Sequence, residues 1–147
     1  LQQGLFWIFR RAGVILLRNS DKDIPAIEII LEKDNGKYAL EIMNGIEEEG
    51  IPYRITEVLE GTINSENVLD YAFMEAQKSK LQMGIALCPE KTVFHFSRLK
   101  KEHPVFTIEE IFSVRKEELR LYGNNIARLV KGIPLKENKS KTAEEVG

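Results

Sequence analysis

The sequence contains one cysteine, two histidines and one tryptophan, and it has neither an excess of basic charge nor a long apolar run. Each shortage removes a class of protein. Cys88 alone forms no internal disulfide, and with only His95 and His103 to add imidazole it builds no cysteine-rich zinc centre, so a reducing, intracellular compartment is expected. With 21 basic against 23 acidic side chains, net -2, the chain lacks the cationic composition on which duplex binding depends. The apolar stretch from Leu1 to Leu17 is divided by Arg10 and Arg11 into two pieces, each short of the roughly 20 residues that span a bilayer. Arg10-Arg11 has the outline of a twin-arginine export signal, but the apolar run from Ala12 stops at Arg18-Asn19-Ser20-Asp21, too soon for its hydrophobic region. Gly45 and Gly84 stand alone, so no glycine-rich phosphate loop is present.

What remains is a chain of 147 residues, 43% apolar and 30% charged, enough to fill one core in one domain. Residues 1–24 form an N-terminal lead, 25–135 the domain, and 136–147 a charged tail without an apolar stripe, expected to be disordered. The sequence does not begin with Met, and Arg10-Arg11 codons of the form AGG AGG would spell a ribosome-binding site just ahead of Val14. Val14 is therefore the expected start, which places residues 1–13 upstream of it and makes the chain more acidic by two arginines.

Pro25 opens Ala26-Ile27-Glu28-Ile29-Ile30-Leu31, short and largely apolar on both faces, as in a strand covered from both sides. Asp34-Asn35-Gly36 is a turn, and Ala39, Ile42, Met43 and Ile46 then recur at the spacing of an amphipathic helix that stops at Gly50. Tyr53 to Val58 alternates as a second strand. Val68, Leu69, Ala72, Phe73 and Ala76 share one stripe of a second helix, with Ser65 and Asn67 as candidate N-caps. Met83 to Leu87, Thr92 to Leu99 and Val105 to Ile108 make three further strands, the first two joined as a hairpin through Pro89-Glu90. A third helix runs from about Val114 to Lys131, with a kink expected at Gly123-Asn124-Asn125, and ends at Gly132 with Pro134 beyond. This order predicts a three-layer α/β domain with parallel units first and one antiparallel strand later.

The candidate site is the end of the first helix, Gly45-Ile46-Glu47-Glu48-Glu49-Gly50-Ile51-Pro52. With Gly50 as a left-handed residue, Ile51 and Ile46 supply the apolar contact of a Schellman motif. Yet the last turn holds Glu47, Glu48 and Glu49, where the macrodipole favours cations by about 0.3–1 kcal/mol per charge. A local rule broken without structural benefit marks functional surface. At about 100° per residue, Glu47 and Glu49 lie to the flanks of the apolar stripe and Glu48 roughly 190° from it, so Glu48 points outward. One carboxylate is no metal site by itself, although it can complete one on a partner. Without further information a solvated acidic helix end is the favoured reading of the run, because charge runs usually form solvent-exposed faces. His95 alternates with Phe94 and Phe96 as a structural or edge-strand residue, and Cys88 is expected to be a small buried hydrophobe.

Three stretches carry a resemblance. Gly45 to Pro52, Met83-Gly84-Ile85-Ala86, and Gly123-Asn124-Asn125-Ile126-Ala127-Arg128-Leu129-Val130-Lys131-Gly132-Ile133-Pro134 resemble the small subunit of the glycerol/diol dehydratase reactivating factor, over about Pro25 to Leu135. The resemblance implies a five-stranded mixed sheet in the order 2-1-3-4-5 with strand 4 antiparallel, shared with the medium subunit of the adenosylcobalamin-dependent dehydratase. It implies a non-catalytic, chaperone-like subunit of a heterotetramer of two large and two small chains, with ATP or ADP on the large subunit, no cofactor on this chain alone, and no nucleic-acid or membrane partner. In that family the small subunit gives way to the dehydratase medium subunit so that a damaged cobalamin is released, in the cytoplasm and in some cases with a microcompartment. A Glu of the helix-end run reaches a magnesium ion, Mg2+, held mainly by the large subunit. That role falls on Glu48, with Glu47 and Glu49 beside it at the partner surface. Two alternatives remain: the dehydratase medium subunit itself, and a free-standing α/β enzyme using Glu47, Glu48 and His95.

Overall fold

The structure, a computed structural model, describes residues 23–137. Its elements follow the chain as β1 (Ile27–Glu32), α1 (Gly36–Glu48), β2 (Tyr53–Val58), α2 (Val68–Lys78), β3 (Met83–Ala86), β4 (Lys91–Phe96), β5 (Phe106–Glu109), a 3-10 turn (Ile111–Ser113) and α3 (Lys116–Lys131). The sheet order is β2-β1-β3-β4-β5. β1 is parallel to β2 and β3, while β4 runs antiparallel to both its neighbours, as the resemblance implied. The expected start at Val14 and the tail beyond residue 137 lie outside the described residues.

β1 is buried along its whole length because helices cover both faces of the sheet centre. Its odd-numbered residues Ile27, Ile29 and Leu31 join Ile42, Ile46, Leu119 and Ile126 in the larger core, under α1 and α3. On the opposite face Ile30 meets Val68 and Ala72 of α2, with Ala86, Cys88 and Val93. Cys88 is buried there, as expected of a small hydrophobe. The remaining even positions, Glu28 and Glu32, are buried carboxylates with partners: Glu28 pairs with Arg54 of β2, and Glu32 accepts the Ile63 N–H at 2.7 Å. Burial pushes Glu28 above its ordinary value even against the pull of Arg54.

One local expectation changes, and the two readings of His95 narrow to the structural one. α3 is one continuous helix from Lys116 to Lys131, so Gly123 does not kink it. A Cβ on Gly123 would collide with the Ile42 carbonyl of α1, and one on Gly45 would collide with the Arg120 carbonyl of α3. The two glycines let the helix backbones touch. His95 sits on β4, an interior strand rather than an edge, and its ring is fully buried between the Lys101 carbonyl, 2.8 Å from Nε2, and the edge of Phe73, with ring centroids 5.1 Å apart.

Candidate functional site

The end of α1 closes as the sequence implies. Gly50 is left-handed at φ 75°, its N–H donates to the Glu47 carbonyl at 2.9 Å, and the Ile51 N–H approaches the Ile46 carbonyl at 3.5 Å. This fixes the direction in which the last-turn carboxylates leave the helix.

Each of them meets a partner, and the partners differ. Glu47 accepts the Tyr53 hydroxyl at 2.6 Å. Glu49 takes Arg128 Nε at 3.0 Å and Lys131 Nζ at 2.9 Å, and the same ammonium also donates to the Glu49 carbonyl. Burial by itself would raise the Glu49 carboxyl, but the hydrogen bonds from Lys131 and Arg128 outweigh it and hold the group below the usual range. About two turns earlier, Glu41 accepts both Nε and Nη2 of Arg120 at 3.0 and 2.7 Å, and that interaction lowers it too. The cations that the macrodipole calls for are therefore present, delivered by α3 rather than by α1 itself.

Glu48 stands apart. Its Oε1 accepts the Asn124 amide at 3.1 Å, while Oε2 has a long 3.4 Å contact with an Arg120 already engaged by Glu41. Its side chain is 32% exposed against 8% for Glu49, so the most accessible carboxylate of the run is the one placed opposite the apolar stripe. It does not point into open solvent, however. α1 has two inward faces, one toward the sheet and one through Gly45 toward α3, and Glu48 borders the second. The signal for this was in α3: Arg120, Asn124, Arg128 and Lys131 recur at helical spacing on one side, and Gly123 lies where Gly45 needs a gap.

Beyond Asn124 the polar side of α3 opens into a cavity of about 490 Å³, whose walls include Arg115, Lys116, Glu117, Arg120 and Lys136. The signs of charge are mixed, which gives a single anion or cation no advantage there. Among the described residues no group of three or more His, Cys, Asp or Glu is arranged to hold a metal ion, and no helix is long and apolar enough to cross a membrane. The free-standing enzyme reading needs His95 near Glu47 and Glu48. The sheet separates them, since His95 faces α2 whereas α1 lies on the other side.

Comparison with known proteins gives the family of the chain. Residues 24–136 match the family model described as Dehydratase medium subunit. A diol dehydratase-reactivating factor small subunit from Klebsiella michiganensis is 36% identical over 128 residues, spanning 86% of this chain and 96% of the relative. A propanediol dehydratase-reactivating factor small subunit from Citrobacter freundii is 40% identical over 118 residues, spanning 80% and 96%. The chain belongs to the family of dehydratase-reactivating factor small subunits. A solved diol dehydratase-reactivating factor complexed with ADP and Mg2+ superposes on the reactivase fold described here with TM-score 0.69 at 37% identity, covering 78% of this chain and 99% of that one. A glycerol dehydratase reactivase, at 24% identity and TM-score 0.66, shares the fold.

Proposed function

We propose that this chain is the removable, non-catalytic subunit of an ATP-dependent reactivating factor, bound through the acidic end of α1 to a large ATPase subunit in a heterotetramer of two large and two small chains. The observation that carries the reading is that one family model, described as Dehydratase medium subunit, spans a chain whose curated relatives are reactivating factor small subunits. Two proteins of one fold can present similar surfaces to one partner. When a dehydratase is stalled with a damaged cobalamin, the small subunit leaves and the large subunit takes hold of the dehydratase medium subunit, expelling the damaged cofactor by crowding. Such an exchange requires only a modest difference in affinity, which nucleotide on the large subunit can tip. The expected setting is the cytoplasm, in association with a microcompartment where the host makes one.

Magnesium enters through Glu48. The residues fit the ion: a carboxylate is a hard oxygen donor, Oε1 is held by an amide, and Oε2 keeps lone pairs that the long Arg120 contact leaves available. When bound, the ion would supply charge that ties this carboxylate to the large subunit's own ligands. Glu41 and Glu49 are committed to guanidinium and ammonium groups and fit such a role poorly.

The test is titration of the large subunit with Glu48→Gln, with and without magnesium, beside thermal melts. A neutral amide is a poor ligand for a hard divalent ion, so association in magnesium should weaken about tenfold and its magnesium dependence should shrink. Melting should stay near the parent, because glutamine still accepts the Asn124 bond. If Glu48→Gln binds like the parent in magnesium, or if Glu47→Gln weakens binding equally, the bridge is wrong.

A further inference from the structure

Asn124 is the other half of the Glu48 site. It is 4% exposed, an amide inside the contact between two helices, and each of its polar atoms has a task. Nδ2 donates to the Gly45 carbonyl at 2.8 Å and to Glu48 Oε1 at 3.1 Å, while Oδ1 accepts Lys136 Nζ at 3.3 Å. The orientation of the amide is fixed by chemistry: the Gly45 carbonyl only accepts and the Lys136 ammonium only donates, so the NH2 group must face α1. Its place is fixed by packing, since Gly123 and Gly45 bring the backbones together and set the Asn124 side chain beside the last turn of α1.

We propose that Asn124 is the positioning residue for the partner-borne magnesium, holding Glu48 Oε1 so that Oε2 is presented to the ion. This rests on the metal-bridge reading above. Carboxylate ligands are commonly oriented by such hydrogen bonds, and losing one typically weakens metal binding by 10–100-fold. The alternatives for Glu48 sharpen the role. Without the amide, the nearest cation is Arg120, and a closer approach to it would turn Oε2 away from a metal. Lys136 extends the chain of hydrogen bonds, polarising the Asn124 carbonyl and strengthening its donation to Glu48. Lys136 is itself set in place by Asn125, whose Nδ2 donates to the Lys136 carbonyl at 3.0 Å and whose Oδ1 accepts the Lys136 N–H at 2.7 Å. The run Gly123-Asn124-Asn125 thus provides the close contact, the carboxylate clamp and the anchor for the segment that follows α3.

The experiment measures the magnesium concentration for half-maximal association of the full-length chain with its large subunit, alongside association without magnesium and a thermal melt for each variant. Asn124→Ser, too short to reach Glu48, should raise that concentration about tenfold and leave magnesium-free association unchanged. In a Glu48→Gln background the same substitution should add nothing, because its effect passes through the carboxylate. Lys136→Met, altering an exposed side chain, should shift the midpoint about twofold in the same direction with the melt unchanged, and it decides the matter if Asn124→Ser is too unstable to assay. A midpoint equal to the parent's in the variants that fold, or a further loss on top of Glu48→Gln, overturns the positioning role. A Glu48→Gln variant with the parent's magnesium dependence overturns the bridge itself, a separate outcome.

Discussion

Gly45 and Gly123 are the residues on which the site's geometry turns. A methyl group on either meets the backbone of the opposite helix, and backbone cannot rotate away as a side chain can. Gly123→Ala therefore forces α1 and α3 apart, at about 3 kcal/mol, and should lower the melting temperature by about 10 °C. Both differential calorimetry and loss of the magnesium-dependent association would register it, since Asn124 and Glu48 separate with the helices. A melting temperature within about 2 °C of the parent would show that the helices have room to spare. At the same scale the glutamates divide by partner: Glu49→Gln should cost about 2 kcal/mol at neutral pH by leaving Arg128 and Lys131 without their carboxylate, whereas Glu48→Gln should be nearly neutral for stability. Of the two, the carboxylate more exposed to solvent is thus the one the fold needs less.

The α3 cations pair with Glu41 and Glu49, so the stability of the α1–α3 pair should follow pH with a definite sign. Arg120 lowers Glu41 through its hydrogen bonds; in Glu49, burial raises the carboxyl but the Lys131 and Arg128 hydrogen bonds prevail and lower it. Carboxyls lowered in the folded state stabilise it fully above their unfolded value near 4.5 and lose that contribution as the pH falls through the folded value. Glu28, on the other face, is raised by burial despite Arg54, so it is protonated more readily in the folded chain and its term runs the opposite way. Thermal melts between about pH 3 and 7 should show stability falling below about pH 4.5. Glu49→Gln should flatten that fall, and Glu28→Gln should steepen it by removing the compensating term. A Glu49→Gln profile parallel to the parent's would mean that the α3 cations do not set the carboxyl's affinity for protons.

Taken whole, the described residues form a sheet with two helices on one face and one on the other, and the surface proposed for partner binding is a helix end rather than a pocket. The pure chain should neither turn over ATP nor bind cobalamin, and turnover above a mock preparation, or a corrinoid spectrum after gel filtration, would contradict its place as a partner subunit. The sequence by itself determined the order of elements, because hydrophobic period is a local property: β2 was legible to the residue as Tyr53 to Val58, and the Gly50 ending of α1 came from Ile46, Gly50 and Ile51 alone. It also determined that Glu48 stands opposite the apolar stripe, since helical angle needs no neighbour. Only the tertiary structure decided which groups the acidic run meets. The cations that answer Glu41 and Glu49 lie on α3, some 79 positions along the chain. The run Gly123-Asn124-Asn125, expected to kink α3, instead lets the helices meet at Gly123 and Gly45 and sets the Asn124 amide against the Gly45 carbonyl and Glu48, and His95 is separated from the carboxylates because the sheet runs between them. Pairing across such distances depends on how helices pack, and packing is a relation between surfaces that a helix pattern read one segment at a time does not contain.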